Sequence, residues 1–218
     1  FKNGKTQGNI FGGHSLTSGN VTGNHVTVEG GDNIINVYGG SSNGTGTVEG
    51  NHVTIAGGKV TNVHGGYVQN ANNSNAVQNN YVQFRSGNSA RVCGATNKGT
   101  GEMKGNYVEF QAGETGELFG ACHQGKKGSV RENHVEITGG KVTSKLYGGG
   151  IENFNNSGEI EGNRVTVGNA IVDGTLYGGY TTGSGAVRKN KVIIDGNTTA
   201  DVYGGYVGND ENVNEVTE

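Results

Sequence analysis

A short phrase that recurs about every 27 residues along the whole chain constrains the fold more than any other feature of the sequence. Each copy opens with Asn-x-Val-x-Val or a close variant and closes with an aromatic residue, or a replacement for it, followed by Gly-Gly or Gly-Ala. Self-similarity at a period of about 20 to 50 residues is typical of solenoids, in which each unit buries its apolar side by stacking on its neighbours. The opening asparagines are Asn24, Asn51, Asn80, Asn106, Asn133, Asn163 and Asn190.

Each coil is predicted to contain three short strands separated by corners. In the coil from Val48 to Tyr67, residues Asn51, Val53 and Ile55 alternate with other residues and therefore share one face of a strand. A second piece carries one aliphatic residue directly before the aromatic position, and a third carries one apolar residue three places before the asparagine. With 218 residues at about 27 per coil, the sequence predicts an all-β fold, a single-stranded parallel β-helix of seven to eight coils.

The repeats run without a linker, which predicts one elongated β-solenoid domain over residues 1–218. Glycine accounts for 44 of the 218 residues, a composition that would favour disorder if aliphatic residues did not recur so regularly. Proline is absent, which suits stacked strands, since every missing N–H breaks a ladder. Because the chain opens at Phe1 and closes in mid-repeat, we expect it to be a fragment of a longer surface protein.

Charge and hydropathy argue against several classes of partner and cofactor. The 16 basic and 19 acidic residues are interspersed and give a formal net charge of −3, so no basic stripe favours nucleic acid. No apolar run approaches the ~20 residues that a membrane helix needs, and we expect no direct membrane insertion of this segment. The glycine-rich stretch at Gly39 and Gly40 precedes no helix and is not expected to bind a nucleotide. The sequence indicates no cofactor.

The repeated asparagine and glycines are expected to be structural. The asparagine has the same parity as the inward valines, so it is buried and needs partners; stacked amides of successive coils would supply them as a ladder. The Gly-Gly pairs are expected to permit positive φ or close packing of coils at the corners. We favour unpaired thiols for Cys93 and Cys122. Alignment of the repeats offsets these residues by three positions, or ~10 Å along a strand, which is too far for a disulfide. A corner between them would still allow a disulfide.

The aromatic position of the repeat leaves two alternatives open. It follows an inward aliphatic residue, so strict alternation would turn it outward, where a ladder of rings can stack on sugars or on a protein. Packing at the corner over the adjacent glycines is the alternative, and we favour it because glycine leaves room for a ring. The position holds Phe11, Tyr38, His64, Cys93, Phe119, Tyr147, Tyr177 and Tyr203.

Candidate binding residues lie in two enlarged loops and on the outward face of the coils. The connection after the aromatic-Gly-Gly is longest at 67–76 and 150–159, and loops on a rigid scaffold often carry recognition. Outward slots beside the asparagine and one place further hold variable polar and aromatic side chains. A plain solvated surface is the alternative for both. The candidate residues are Tyr67, Asn70, Asn73, Glu152 and Phe154 in the loops, and Tyr107, His134 and Arg164 on the outward face.

Two weaker constellations on the outward face suggest chemistry. His25 and His52 would be neighbours able to share a metal, although no further ligand joins them at the right spacing. Glu109 and Glu136 would lie side by side at ~5 Å, with His134 nearby, as paired carboxylates do in glycoside hydrolysis or lyase chemistry. A flat convex face offers no pocket that would desolvate an acid, so we favour no catalytic residue and no metal site.

Some copies of the phrase are especially regular, namely Gly50-Asn51-His52-Val53-Thr54-Ile55, Gly162-Asn163-Arg164-Val165-Thr166-Val167 and Leu176-Tyr177-Gly178-Gly179-Tyr180. They resemble the repeats in the passenger regions of bacterial autotransporters, which are large type V secreted surface proteins. The resemblance covers essentially the whole chain. It implies a right-handed β-helix displayed at the cell surface or released from a Gram-negative bacterium, commonly as an adhesin or as the stalk for one.

The functional hypothesis is therefore a non-enzymatic rod that acts as adhesin or stalk by multivalent contact. Its expected partner is a host or bacterial surface protein or a glycan, and self-association is a further possibility. The enzyme alternative is a polysaccharide lyase or glycoside hydrolase built on a β-helix scaffold. Binding of ice or of a crystalline surface is disfavoured, because glutamine and glutamate interrupt the threonines that a flat array requires.

Overall fold

The computed structural model describes residues 1–2, 6–196, 198–209 and 216–217. Within these ranges the chain forms only strands, turns and irregular segments, and every strand pairs in parallel with the equivalent strand of the neighbouring coil. The predicted parallel β-solenoid is confirmed. Consecutive asparagines of the repeat lie between 26 and 30 residues apart.

Each coil contains three strand positions, as the pattern predicts. The first is a two-residue strand, and eight of these form one sheet. They are β2 (Val21–Thr22), β5 (Val48–Glu49), β7 (Val77–Gln78), β9 (Met103–Lys104), β12 (Val130–Arg131), β15 (Ile160–Glu161), β19 (Val187–Arg188) and β22 (Val216–Thr217). Eight stacked strands bound seven successive turns, in agreement with the predicted number of coils.

The second and third positions belong to one large sheet that bends around a corner. At the second position lie β3 (His25–Val28), β10 (Tyr107–Phe110), β13 (His134–Ile137), β16 (Arg164–Val167) and β20 (Lys191–Ile194). At the third position lie β1 (Asn9–Ser15), β4 (Ile34–Ser42), β11 (Glu114–His123), β14 (Lys141–Ile151), β17 (Ile171–Val172), β18 (Thr175–Thr181) and β21 (Val202–Val207). In two coils both positions merge into the continuous strands β6 (His52–Val68) and β8 (Tyr81–Asn97).

Like residues stack on like residues in the core. Val53 pairs with Val82, and Phe84 pairs with Phe110, whose ring lies parallel to it at 4.9 Å. The aliphatic residue before each aromatic position is buried in the same column, as Val92 and Leu118 show. Because apolar rows run the length of the rod, each coil is stabilised mainly by its two neighbours.

The predicted amide ladder is present. Asn51 donates its Nδ2 hydrogens to Oδ1 of Asn80 at 2.9 Å and to the carbonyl of Val21 at 2.9 Å. Asn80 repeats the first bond to Asn106, and Asn106 repeats it to Asn133. These asparagines are completely buried. The ladder therefore satisfies the polar groups of the corner and fixes the register of the coils.

The glycines divide into two kinds. The first glycine after the aromatic residue has no positive φ; a Cβ on Gly39 would lie 2.6 Å from the carbonyl oxygen of Gly65 in the next coil. Close approach of coils is thus the reason for the first glycine after the aromatic position. Positive φ occurs at two other places: just before the ladder asparagine, as at Gly50 with φ 63° and Glu132 with φ 55°, and in the Gly-Gly pairs that precede the third strand position, as at Gly58 with φ 90° and Gly140 with φ 85°.

Among the described residues, no helix is long and apolar enough to span a membrane.

Candidate functional site

An outer groove follows the bend in the third strand position. The aromatic position and the position three residues later both face away from the aliphatic core, and their side chains meet across the intervening glycines. The Tyr38 ring centroid lies 5.0 Å from that of Tyr67 in the next coil, and the Tyr147 centroid lies 4.8 Å from that of Tyr180. We call this surface the bend groove.

The open part of the bend groove consists of three adjoining depressions. The first, of about 380 Å³, contains Phe11, Tyr38 and Tyr67. The second, of about 180 Å³, shares Tyr38 and Tyr67 with the first and adds Lys98 and Gln124. The third, of about 520 Å³, shares Lys98 and Gln124 with the second. Since neighbouring depressions share side chains, they form one path that crosses several coils.

The first depression is aromatic and is lined by no lysine, arginine or carboxylate. Phe11 stacks on Tyr38 at 5.0 Å between centroids, and Tyr38 stacks on His64 at 5.3 Å. Beside the rings runs a second, outer amide ladder, in which Asn62 donates to Asn36 at 2.8 Å. Phe11 is 40% exposed, whereas Tyr38 is buried and burial raises the pKa of its hydroxyl to about 12. We call this part the aromatic arm.

In the middle of the rod the bend groove is filled by its own side chains. Cys93, Phe119 and Cys122 are fully buried there, and Tyr147 is nearly so. The expectation of corner packing is confirmed for Cys93, Phe119 and Tyr147 of the aromatic position, while Phe11 and Tyr203 at the two ends remain exposed. The column is therefore both a packing element and an accessible surface, depending on the coil.

The two cysteines are free, as favoured from the repeat. Phe119 pairs with Cys93 and Thr96 pairs with Cys122, so the predicted three-residue offset is correct. Burial raises the pKa of Cys93 to about 12, and burial together with Glu152 raises that of Cys122. Both thiols are protonated at neutral pH and act as small apolar side chains.

An ion-pair cluster closes the filled part. The Arg91 guanidinium donates from Nε to Glu117 at 2.6 Å and from Nη2 to Glu152 at 3.3 Å, and it lies 4.8 Å from the centre of the Phe119 ring. Glu152 also accepts a hydrogen bond from Gln124 at 3.1 Å. Burial raises the pKa of Glu152, but Gln124 and Arg91 outweigh it and hold that pKa below its ordinary value. The predicted binding residue Glu152 is thus ionised, and its charge is paired with that of Arg91 inside the protein.

The two enlarged loops form the walls of the third depression. They share the sequence Asn-x-Asn-Asn-Ser, at Asn70–Ser74 and Asn153–Ser157. In each, the fourth residue is fully buried and donates to carbonyls of the preceding coil: Asn73 to Gly44 and Gly46, and Asn156 to Gly125. These buried bonds hold both loops against the rod.

The predicted loop residues therefore have different environments. Asn73 lies beneath its loop with its amide hydrogens engaged, and Asn70 donates to the carbonyl of Gly44 at 3.2 Å. Tyr67 lines the groove, and its hydroxyl donates to Gln69. Phe154 is 56% exposed at the tip of its loop. Phe154 is the exposed member of the set, while Tyr67, Asn70 and Glu152 are half-buried.

Two shorter loops form the floor between these walls, and they carry three lysines. Lys98 comes from the shorter loop after β8, and Lys126 and Lys127 come from the loop after β11. The remaining lining residues are Ala71, Asn72, Thr100, Gln124, Gly125 and Asn153. None of these nine side chains or glycines is acidic. We call this depression the lysine cradle.

The outward face beside the asparagine ladder is a hydrogen-bonded surface. Glu109 and Glu136 are register partners, as predicted. Tyr81 donates to Glu109, and Tyr107 donates to Glu136 at 2.6 Å. The hydrogen bonds from Tyr81 and then Gln111 lower the pKa of Glu109, which keeps it ionised.

The other predicted residues of this face have local partners as well. His134 is half-buried and lies 3.3 Å from the Thr166 hydroxyl; burial and then Arg164 lower its pKa. Arg164 is exposed and donates to the same hydroxyl at 3.1 Å. The His25 and His52 rings are 4.3 Å apart, and no group of three potential metal ligands occurs among the described residues.

Sequence reasoning missed the lysine cradle and the role of the aromatic arm as part of one groove. The signal was the placement of Lys126-Lys127 in a short loop between two copies of Asn-x-Asn-Asn-Ser. Comparison with known proteins found no matching family model, no similar curated protein and no similar solved structure.

Proposed function

We propose that this chain is a non-enzymatic binding rod that holds an extended glycan in the bend groove. The continuous groove, with side chains that recur from coil to coil, is the observation that carries the proposal. Coils repeat at ~4.8 Å, which is close to the length of one sugar unit in a chain. Successive rings and amides can thus meet successive sugars, and shallow contacts add up over several coils.

The chemistry of the aromatic arm suits sugars. Ring faces such as that of Phe11 offer stacking surfaces for the C–H groups of a pyranose. The half-buried amides of Asn36 and Asn62 and the exposed one of Asn9 offer donors and acceptors for hydroxyl groups. Because strands hold these groups, little entropy is lost when a ligand binds.

The surface location and the role as adhesin belong to the same proposal. The likeness of the repeats to autotransporter passengers supports display on, or release from, a Gram-negative cell. A glycan or glycoprotein of a host or of another bacterium is then the partner of the groove. The rod acts as an adhesin if the groove binds, and as a stalk if its role is to present other segments.

Hydrolysis or lyase chemistry at Glu109 and Glu136 is the alternative, favoured by their side-by-side placement. A general acid needs a raised pKa, whereas hydrogen bonds lower that of Glu109. The tyrosines that donate to both carboxylates also make this pair an internally bonded surface. These observations support binding over turnover.

The test is a glycan array followed by calorimetric titration of the oligosaccharides that bind. We expect Phe11→Ala together with Tyr67→Ala to weaken binding by about tenfold or more, since each removes a stacking surface. Tyr107→Ala, an aromatic deletion on the other face, is the matched control and should leave affinity unchanged. Equal loss in the control would place the ligand elsewhere, and product formation abolished by Glu136→Gln would favour the enzyme.

A further inference from the structure

We propose that the glycan is acidic and that the lysine cradle binds its anionic groups. This inference rests on the proposed function of the bend groove and names its substrate class. Lys98, Lys126 and Lys127 point to a ligand that carries negative oxygens, and they converge in the largest of the three depressions, of about 520 Å³. The ligand class is a polysaccharide with carboxylate or sulfate groups along its chain.

The charge of the cradle is not balanced by the protein. Arg91, Arg131 and Arg188 each contact acidic side chains, as do several lysines elsewhere. In the part of the chain that the structure describes, the three cradle lysines form no ion pair. On a protein with a formal net charge of −3, this is a local concentration of free positive charge.

The carboxylate that is hydrogen-bonded to Gln124 in the cradle lining does not cancel this charge. Glu152 forms an ion pair with Arg91 and accepts hydrogen bonds from Cys122 and Gln124, so its negative charge is already compensated. Gln124 thereby connects the ion-pair cluster to the floor of the cradle. An incoming anion therefore meets lysines and amides, while the half-buried Glu152 is paired with Arg91.

The connection to the aromatic arm favours a sugar chain over other polyanions. Lys98 lies 5.8 Å from the centre of the Tyr67 ring, which places the cradle directly beside the arm. A ligand that follows the groove thus meets aromatic rings and neutral amides first and lysines next. Sugars with hydroxyl groups and spaced acidic groups fit this sequence of contacts. A uniformly charged chain would place charged groups against the aromatic arm, where no lysine or arginine pairs with them.

The walls of the cradle are preformed. Asn73 and Asn156 fix the two enlarged loops from below, and both loops make the same internal bonds, such as Asn73 N–H to Asn70 carbonyl at 3.0 Å and Asn156 N–H to Asn153 carbonyl at 3.0 Å. Two equivalent loops therefore stand on either side of the lysines. Such a cleft raises affinity because its order does not have to be created on binding.

The experiment measures binding of the whole chain to three probes by calorimetry at low and high salt. The probes are a polygalacturonate oligosaccharide, a heparin-derived oligosaccharide and an oligothymidylate of similar length. The test variant is Lys126→Gln with Lys127→Gln. The control is Lys59→Gln with Lys191→Gln, which removes the same charge from exposed positions outside the groove.

We expect at least one acidic oligosaccharide to bind, about tenfold more weakly in the test variant, with the control unchanged. Binding should also weaken strongly between 0.1 and 1 M salt, where the screening length falls from about 10 to about 3 Å. The two acidic probes distinguish carboxylate from sulfate. The double variant Phe11→Ala with Tyr67→Ala should also weaken binding of the same probe.

Four results would overturn the inference. An equal loss in the control variant would mean that net charge alone attracts the probe. Equal or tighter binding of oligothymidylate would make the ligand a phosphate chain. If neutral oligosaccharides from the glycan array bind through the aromatic arm and the acidic ones bind no tighter, the acidic class is refuted and the glycan function stands. Absence of binding by any glycan would refute both.

Discussion

At the scale of single residues, the ladder asparagine shows why a polar residue recurs at an inward position. In Asn106, Nδ2 donates to Asn133 and to the Val77 carbonyl, and Oδ1 accepts from the backbone and side chain of Asn80. All donors and acceptors of the amide are used. The alternation of inward and outward residues predicts that the asparagine is buried, and the repeat places another asparagine next to it in the neighbouring coil. The sequence alone was therefore sufficient to predict the amide ladder.

Asn106→Ala should destabilise the rod by roughly 1 to 3 kcal/mol, because it leaves buried groups of Asn80 and Asn133 without partners. Urea unfolding followed by circular dichroism measures the change. The control is Asn62→Ala, where water can replace the outer amide, and we expect at most about 0.5 kcal/mol there. Equal losses at the two positions would contradict a special role for the inner ladder.

His123 provides a second residue-scale prediction, on pH. It is fully buried, accepts from Gly125 N–H through Nδ1 and faces the Gly101 carbonyl through Nε2; burial lowers its pKa to about 4. The unfolded state binds a proton near pH 6.5, and the folded state does so only near 4. Stability is therefore full above about pH 6.5 and falls as pH decreases toward 4, by about 2 kcal/mol at pH 5.

The matched variant is His123→Asn, because Asn97 occupies the equivalent place one coil earlier and makes similar bonds to Gly99 and Gly101. We expect the variant to lose about 2 kcal/mol less than the wild type between pH 7 and pH 5, measured by urea unfolding at each pH. His64, whose pKa burial lowers to about 3, remains in both proteins and contributes equally. Parallel pH profiles would show that His123 does not titrate on unfolding.

At the scale of elements, the spacing between coils depends on the first glycine after the aromatic position. A Cβ on Gly120 would collide with the carbonyl oxygen of Gly148 and would lie 3.1 Å from the backbone nitrogen of His134. The obstacle is backbone of neighbouring strands, which cannot move without breaking two ladders. Sequence periodicity marks this glycine as important, but only the stacked structure shows that crowding, and not positive φ, is the reason.

Gly120→Ala should destabilise the protein by about 3 kcal/mol, at the upper end for overpacking, because no rotamer change relieves the collision. Ala121→Gly is the control; its position carries glycine in other coils, and the change should cost only about 1 kcal/mol. Thermal and urea unfolding of the two variants give the comparison. A Gly120 variant as stable as the control would mean that the coils can separate locally.

At the scale of the whole molecule, stability should be graded along the rod. Val92 and Leu118 in central coils are completely buried, whereas Phe11 and Val202 near the ends are 40% and 41% exposed. In a structure where each coil contacts only its neighbours, stability is approximately a sum of coil and interface contributions. Central coils are supported from both sides.

Hydrogen exchange followed by mass spectrometry should therefore show slower exchange in β8 and β10 than in β1 and β21. The expected order follows from the interfaces that each coil must lose before its amides open. Strands of equal length within the described residues serve as internal controls, such as β1 and β18. Uniform exchange along the rod would indicate one cooperative unit that opens only globally.

The structure of one coil can be predicted from the amino-acid sequence, because the residues that define it are close together in the chain and recur in every repeat. Inward valines, ladder asparagines and corner glycines recur in every unit, so three strands, their register and the unpaired cysteines followed from alignment of the repeats. The same approach gave a set of exposed candidates on the outward face, where the structure places internally bonded groups such as Tyr107 with Glu136.

The place where a ligand can lie depends on how the coils are stacked. A groove is formed by side chains from different coils, and neither Lys98 nor Lys126 belongs to the repeated phrase. The bend at the glycines turns two outward positions toward each other, buries one stretch of the aromatic column and leaves another open. Repetition encodes how one coil stacks on the next, whereas concavity depends on departures from the repeat that become neighbours only when the coils are stacked.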